Sequence, residues 1–263
     1  MKPRALILHA TGTNRDQDVA QALQLAGAAP EIRHLNQLRT QEGSGWDHYQ
    51  MLVIPGGFSY ADALGAGRLF ALDLKNYFAD HVNEFVAAGK PVIGICNGFQ
   101  TLVKAGILPV PAGERADQTE TLATLTFNAS GHFECRWVNL LPVSQRCLWT
   151  RDLTEPVYCP VAHGEGNFRL ADPALLAALQ QNDQIALLYA GSAGQPAQGR
   201  YPDNPNGSLG DIAGVCNPLG NVLGLMPHPE NHIFAYQHPR FARGETIGLG
   251  LALFQSGVKY ASQ

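Results

Sequence analysis

One stretch, Pro91-Val92-Ile93-Gly94-Ile95-Cys96-Asn97-Gly98-Phe99-Gln100, limits what this chain can fold into more than any other. Val92 to Ile95 is a short, β-branched apolar run of the kind that forms a buried strand. After it, Phe99, Leu102 and Val103 recur at helical spacing. A strand that passes through Gly-x-Cys-x-Gly into a helix is the logic of a nucleophile elbow, with sulfur in place of a hydroxyl. The two glycines allow a sharp turn and leave space around the sulfur. A helix starting just beyond Cys96 aims its N–H groups and its positive dipole end at that sulfur, which favours a thiolate. The alternative is that Cys96 is a small core residue at a strand end, since free cysteine is among the most buried residue types.

The same alternation runs through the first hundred residues. Ala5 to Leu8, Glu31 to Leu35 and Met51 to Ile54 read as strands. Asp16 to Gly27 reads as an amphipathic helix, capped by Asn14 or Asp16 and stopped by Gly27. Leu69 to Ala88 reads as one long helix ended by Gly89. Strand-loop-helix repetition of this kind builds a parallel sheet with helices on both faces. Ligands collect at the carboxyl ends of such strands, so Cys96 and the loop Pro55-Gly56-Gly57-Phe58-Ser59-Tyr60 should face one crevice.

From Pro109 the character changes, with a break at 111–113. Ala123 to Phe127 and Phe133 to Leu140 read as strands around the turn 128–131, and Glu155 to Ala162 as another. A short helix at Pro173 to Gln180, capped by Asp172, and a strand at Ile185 to Ala190 follow. Residues 191–209 read as a long surface loop, and 210–225 as a hairpin turning at 218–221. Phe241 to Phe254 reads as a final helix interrupted by glycines. With 263 residues and 45% hydrophobic content, the economical reading is one domain, 1–263, whose β-rich second half completes the sheet.

A thiolate nucleophile needs a base to hold and return its proton. His228-Pro229-Glu230 follows the apolar strand Val222 to Leu225. On an extended chain, enforced by the central proline, residues two apart point the same way. Glu230 can then orient one imidazole nitrogen of His228 while the other faces the sulfur. A plain surface turn is the competing reading. His228, His232 and His238 lie close together, but no cysteine or carboxylate at ligand spacing completes a zinc site. An oxyanion hole needs two aligned N–H donors. The amide of Asn97 offers one and that of Gly57 the other.

The net charge of −4 argues against a nucleic-acid scaffold, and no apolar run reaches membrane-spanning length. Five cysteines without a CxxC pair fit a reducing cytoplasm better than a disulfide framework.

Gly94 to Gln100, Pro55 to Tyr60 and His228-Pro229-Glu230 together resemble the class I (triad) glutamine amidotransferases, in the family's order of Cys, His, Glu. The chain is similar, closer still, to the glutaminase-subunit family of phosphoribosylformylglycinamidine synthase. The stretches that carry this are Gly56 to Tyr60, Cys96 to Gln100, Phe133 to Val138, Ala162 to Gly166 and Asn204 to Ser208. Arg15 stands where that family would have Cys, and Ala61 where it would have Gly. Extra length falls at 108–121 and 191–201.

The resemblance implies an α/β fold: an open, mostly parallel, flavodoxin-like sheet with helices on both faces. It implies glutamine as substrate, Cys96, His228 and Glu230 as the triad, Gly57 and Asn97 as oxyanion donors, and Gly56 and Gln100 as substrate contacts. It also implies ammonia delivery to a synthetase subunit, with a small third subunit, and ATP and Mg held by the synthetase rather than by this chain. No Gly-x-x-x-x-Gly-Lys-Ser/Thr loop is present. Residues 163–167 are expected near the crevice or the partner face. A different triad amidotransferase, a non-catalytic subunit of the same fold and a thiol redox protein stand as rivals.

Overall fold

The computed structural model describes residues 1–40, 45–110 and 122–263. The break read at 111–113 and most of the extra length at 108–121 lie outside the described residues.

In chain order the elements are β1 (Arg4–His9), α1 (Asp16–Ala26), β2 (Ala29–His34), α2 (Leu35–Thr40), β3 (Met51–Ile54), α3 (Arg68–Tyr77) and α4 (Ala79–Ala87). There follow β4 (Val92–Ile95), α5 (Asn97–Lys104), β5 (Ala123–Thr126), β6 (Glu134–Pro142), β7 (Val157–His163) and β8 (Asn167–Leu170). The chain closes with α6 (Ala174–Gln181), β9 (Ile185–Ala190), β10 (Ile212–Cys216), β11 (Val222–Leu225) and α7 (Leu251–Ala261).

Nine strands form one sheet, ordered β2-β1-β3-β4-β11-β10-β9-β6-β7. The first five pair in parallel and the remainder extend the sheet antiparallel. β1, β3, β4 and β11 are apolar almost throughout and bury most of their residues, as strands covered on both faces must. From β1 the chain moves outward to β2, then returns past β1 to β3 and on to β4. Right-handed crossovers in opposite directions place their helices on opposite faces. Accordingly α1 packs with α7, while α3 packs with α5. The expected α/β architecture is therefore present, with the second half completing the sheet.

Several local readings are corrected. The single helix expected at Leu69 to Ala88 is two, α3 and α4, divided at Phe78 with φ −132°. Phe78 is buried against Trp46, ring centroids 5.8 Å apart, and that packing takes it out of helical geometry with no Gly or Pro to mark the place. The last helix begins at Leu251 rather than Phe241. The backbone of Gly250 lies against that of Pro229, which fixes the preceding segment as a connection running back past the site. Neither Asn14 nor Asp16 caps α1. Arg15 holds the cap position, and the Asp16 carboxylate is engaged by His9 Nδ1 at 2.7 Å. β5 pairs with β8 in a separate two-stranded sheet, not with β6 across the 128–131 turn. In the loop 191–209, Asn204, Asn206 and Ser208 are buried, because their side chains bond one another and Asp211 rather than water.

Candidate active site

Three adjacent parallel strands, β3, β4 and β11, end side by side. The loop after β3 carries Gly56 and Gly57, the turn after β4 carries Cys96, and the turn after β11 carries His228. The antiparallel half curls back to the same place. The His228 N–H donates to Pro160 of the edge strand β7 at 2.8 Å, and the Ala162 carbonyl lies 3.8 Å from Cys96 Sγ.

Cys96 has φ 50° and ψ −105°, a conformation that costs a non-glycine residue roughly 1–3 kcal/mol and persists only where its surroundings enforce it. Its N–H is fixed by the Leu225 carbonyl at 2.8 Å. The first bond inside α5 runs from Gln100 N–H to the Cys96 carbonyl at 3.0 Å, which leaves the Asn97 amide outside the helix's own ladder. A Cβ on Gly98 would run into the Ile54 backbone, so only glycine lets α5 come this close to β3. The strand, turn and helix read from the sequence are thus the geometry observed.

His228 and Glu230 meet with Nδ1 to Oε1 at 2.7 Å, and both are buried. The route differs from expectation: residues 229–231 form a short helical turn, not extended chain. The turn, closed by Asn231 and His232 N–H groups donating to the His228 and Pro229 carbonyls at 3.1 Å, folds the two side chains together equally well. Burial opposes a charge on His228, but the Glu230 carboxylate and then Cys96 outweigh it, and the imidazole pKa is pushed up to about 10. The second Glu230 oxygen, Oε2, is buried without a hydrogen-bond partner among the described residues, so the carboxylate is spent on His228. Gly56 does not line the cleft. A Cβ there would sit 2.7 Å from His228 Cε1 and 3.4 Å from Cys96 Cβ, so its bareness lets imidazole and sulfur approach one another.

The cleft beside Cys96 encloses about 150 Å³, lined by Gly57, Asp62, Gln100, His163 and Glu165 among others. That suits a small amino acid rather than a ligand needing a pocket of about 300 Å³ or more. Larger hollows of about 340 and 350 Å³ lie away from the Cys96–His228 pair, the second of them lined by Arg68, Lys75 and Lys104. Gln100 reaches the wall as expected, but its Nε2 donates to the Glu165 carbonyl at 2.7 Å, so it braces the cleft. Burial and then Glu165 push the Asp62 pKa up.

The segment 163–167, expected near the crevice or the partner face, reaches the crevice. Gly164 and Glu165 line the cleft, and His163 is buried beside it. Asn128 Nδ2 donates to the His132 and His163 carbonyls, both at 2.8 Å, which fixes its Oδ1 as an acceptor. His163 Nδ1, 3.1 Å from that oxygen, therefore carries the proton. Burial first, and the neighbouring His228 second, push the His163 pKa down to about 3. His163 is a neutral wall, so one imidazole there holds charge and the other does not.

His228, His232 and His238 take separate partners: His228 Nδ1 meets Glu230, while His232, its ring centroid 5.5 Å from that of His238, has Nδ1 2.5 Å from the Tyr158 carbonyl. Among the described residues no group of three His, Cys, Asp or Glu side chains is placed to hold a metal ion.

The loop after β3 is strained. Tyr60, Ala61, Asp62 and Leu64 have φ between 53° and 63°. A left-handed non-glycine residue costs roughly 1–2 kcal/mol. Ala61→Gly is expected to stabilise the chain by about 1 kcal/mol and raise Tm by roughly 2–4 °C. A melting curve shifted downward would refute the strain argument.

The family model described as "CobB/CobQ-like glutamine amidotransferase domain" matches residues 2–261. The chain belongs to the glutamine amidotransferases. It is 56% identical to the phosphoribosylformylglycinamidine synthase subunit PurQ of Treponema denticola, covering 99% of both chains. Its identity to PurQ of Methanococcus maripaludis is 38%, over 98% of this chain and 97% of that one. Among solved structures, a chain of PurLQS from Thermotoga maritima superposes with a TM-score of 0.74 at 30% identity, covering 99% of each. A Thermoplasma acidophilum protein solved as a putative GMP synthase subunit, 14% identical with a TM-score of 0.55, shares the fold.

Proposed function

We propose that this chain is the glutaminase subunit of phosphoribosylformylglycinamidine synthase. The observation that carries the reading is the meeting, at one amino-acid-sized cleft, of a strained Cys96 and the His228–Glu230 pair in a chain so similar to PurQ. Cys96 Sγ attacks the side-chain amide carbon of glutamine. The tetrahedral oxyanion is held by the N–H groups of Gly57 and Asn97. His228, oriented by Glu230, gives its proton to the departing ammonia and leaves a thioester on Cys96. It then takes a proton from water, whose attack releases glutamate and restores the thiol. The α-ammonium of glutamine is expected to face Asp62, since the Glu165 carboxylate beside it lies 3.7 Å from Lys104 Nζ and is already paired.

Ammonia passes to a synthetase subunit, assisted by a small third subunit. The synthetase holds ATP and Mg and converts formylglycinamide ribonucleotide to the amidine. The site of action is the cytoplasm, in keeping with five unpaired cysteines. No described helix is long and apolar enough to cross a membrane. Phe127, 72% exposed, lines the cleft, and Leu64, 76% exposed, lies between Asp62 and Ala66 of its lining in the chain; exposed apolar groups in such a position mark a docking face. Leu64→Glu is expected to cut stimulation by the synthetase about tenfold, read from glutamine turnover titrated against that subunit. Unchanged half-saturation would remove Leu64 from the interface.

The deciding assay is glutamine hydrolysis by the chain alone and with the synthetase, ATP and formylglycinamide ribonucleotide. Weak turnover alone that rises with all three supports the proposal. Turnover indifferent to the nucleotide acceptor would transfer the chain to another amidotransferase, and no turnover under any pairing would leave a non-catalytic subunit.

A further inference from the structure

Asn97 is only 2% exposed, yet it is a carboxamide on the first turn of a helix whose Phe99, Leu102 and Val103 pack as core. A buried amide in such a place is retained only if its polar atoms are matched. Here they are. Ser59 Oγ donates to Asn97 Oδ1, and Asn97 Nδ2 donates to Asp62 Oδ1 at 2.9 Å and toward Gln100 Oε1 at 3.3 Å. Ser59 and Asp62 belong to the left-handed loop that begins at Gly57. Tyr60 fastens that loop to α3 through the Asp73 carboxylate, and Phe58 and Tyr60 N–H groups fasten it to the Gly12 and Thr11 carbonyls. The Asn97 side chain instead fastens it to the turn that carries Cys96.

We infer that the Asn97 carboxamide is a positioning group for the proposed reaction: through Ser59 and Asp62 it sets the Gly57 amide in register with its own backbone amide, so that both face one oxyanion. The inference rests on the reading of Cys96 as nucleophile with Gly57 and Asn97 as donors. The side chain is suited to this by chemistry. It accepts one hydrogen and donates two at once. Leucine, of similar shape, can do neither, and aspartate would set a second carboxylate against Asp62.

The test separates acyl transfer from thiol reactivity. Glutamine kcat and KM are measured with the synthetase present, beside the rate at which iodoacetamide alkylates Cys96. Alkylation is displacement at a saturated carbon with no oxyanion, so it reads sulfur and access alone. Asn97→Leu is expected to lower kcat roughly 10²-fold, with KM within about threefold and alkylation within about twofold. Ser59→Ala is expected to lower kcat about tenfold, and the double variant to be no worse than Asn97→Leu, because both cut one connection. A kcat for Asn97→Leu within about threefold of the parent overturns the inference. So does an equal fall in alkylation and turnover, which would mark a merely structural residue. If Asn97→Leu does not fold, Ser59→Ala carries the test, and an undiminished kcat there is the overturning result. Cys96→Ala keeps the two levels apart: turnover surviving in it sinks the nucleophile reading, whereas a dead Cys96→Ala beside a fully active Asn97→Leu sinks only the role of the carboxamide.

Discussion

Replacing Cys96 by alanine is expected to lower glutamine hydrolysis by about 10⁴-fold or more while leaving Tm within a few degrees of the parent chain. The two halves of that result come from different parts of the structure. Without Sγ no thioester forms, and what remains is the catalysis supplied by substrate binding and by amides aimed at an oxyanion, which in triad enzymes is several orders of magnitude below the full rate. The fold, by contrast, loses one buried sulfur whose polar neighbours are the Ala162 carbonyl 3.8 Å away and the His228 imidazole. Alanine meets the same φ of 50° as cysteine does, so the strain at this turn is neither relieved nor deepened. A core cysteine without chemistry predicts the reverse pattern, a lower Tm and unaltered turnover. Thermal melts and a coupled glutamate assay on the same preparation therefore decide between the two readings of Cys96. Residual turnover above about one part in 10³ would exclude it as nucleophile.

The parts of this site that the sequence displays are those made within a few residues. Val92 to Gln100 declares a buried strand, a turn and a helix because apolar spacing changes from strand-like to helical across Gly94 and Gly98, and the structure has that change at Cys96. His228 and Glu230 declare a pair by their spacing of two, although the backbone brings them together by a helical turn rather than by extended chain. What the sequence hides depends on distant segments. The Ala162 carbonyl reaches Cys96, and Asn128 fixes the proton on His163 from 35 residues away, only because the antiparallel half of the sheet curls over the strand ends. No local pattern encodes that curl. The division at Phe78 is hidden for a similar reason, since a buried contact with Trp46, not a helix breaker, sets it. The Asn97 side chain was on view in the sequence, but its meaning depends on Ser59 and Asp62 arriving from a loop almost 40 residues earlier.

Glu230→Gln probes the electrostatics of the pair with its shape kept. Glutamine can still accept from the His228 Nδ1–H, so the ring keeps its orientation, but the negative charge is gone. In the parent chain, burial would drive the imidazole pKa down, and the carboxylate 2.7 Å away is the leading cause that drives it up to about 10. The sign follows. A raised pKa keeps His228 protonated, and so able to supply ammonia's proton, until the pH climbs through about 10. With the carboxylate removed, burial takes over, and the alkaline limb of kcat/KM moves down by roughly 2–3 pH units or more. A shift of that size leaves roughly half to nine-tenths of the variant's imidazole neutral at pH 8, with no proton for the leaving group, and turnover is expected to fall by about two- to tenfold or more. Stability moves in the same sense. The contribution of His228 to folding is fully present below the unfolded value of about 6.5 and is lost as pH rises through about 10, so the Tm deficit of Glu230→Gln is largest near and below neutral pH and narrows toward pH 10. A pH–rate profile between pH 6 and 10.5 checks the kinetic half. An alkaline limb that stays in place would mean that Glu230 only orients His228 and does not hold its charge.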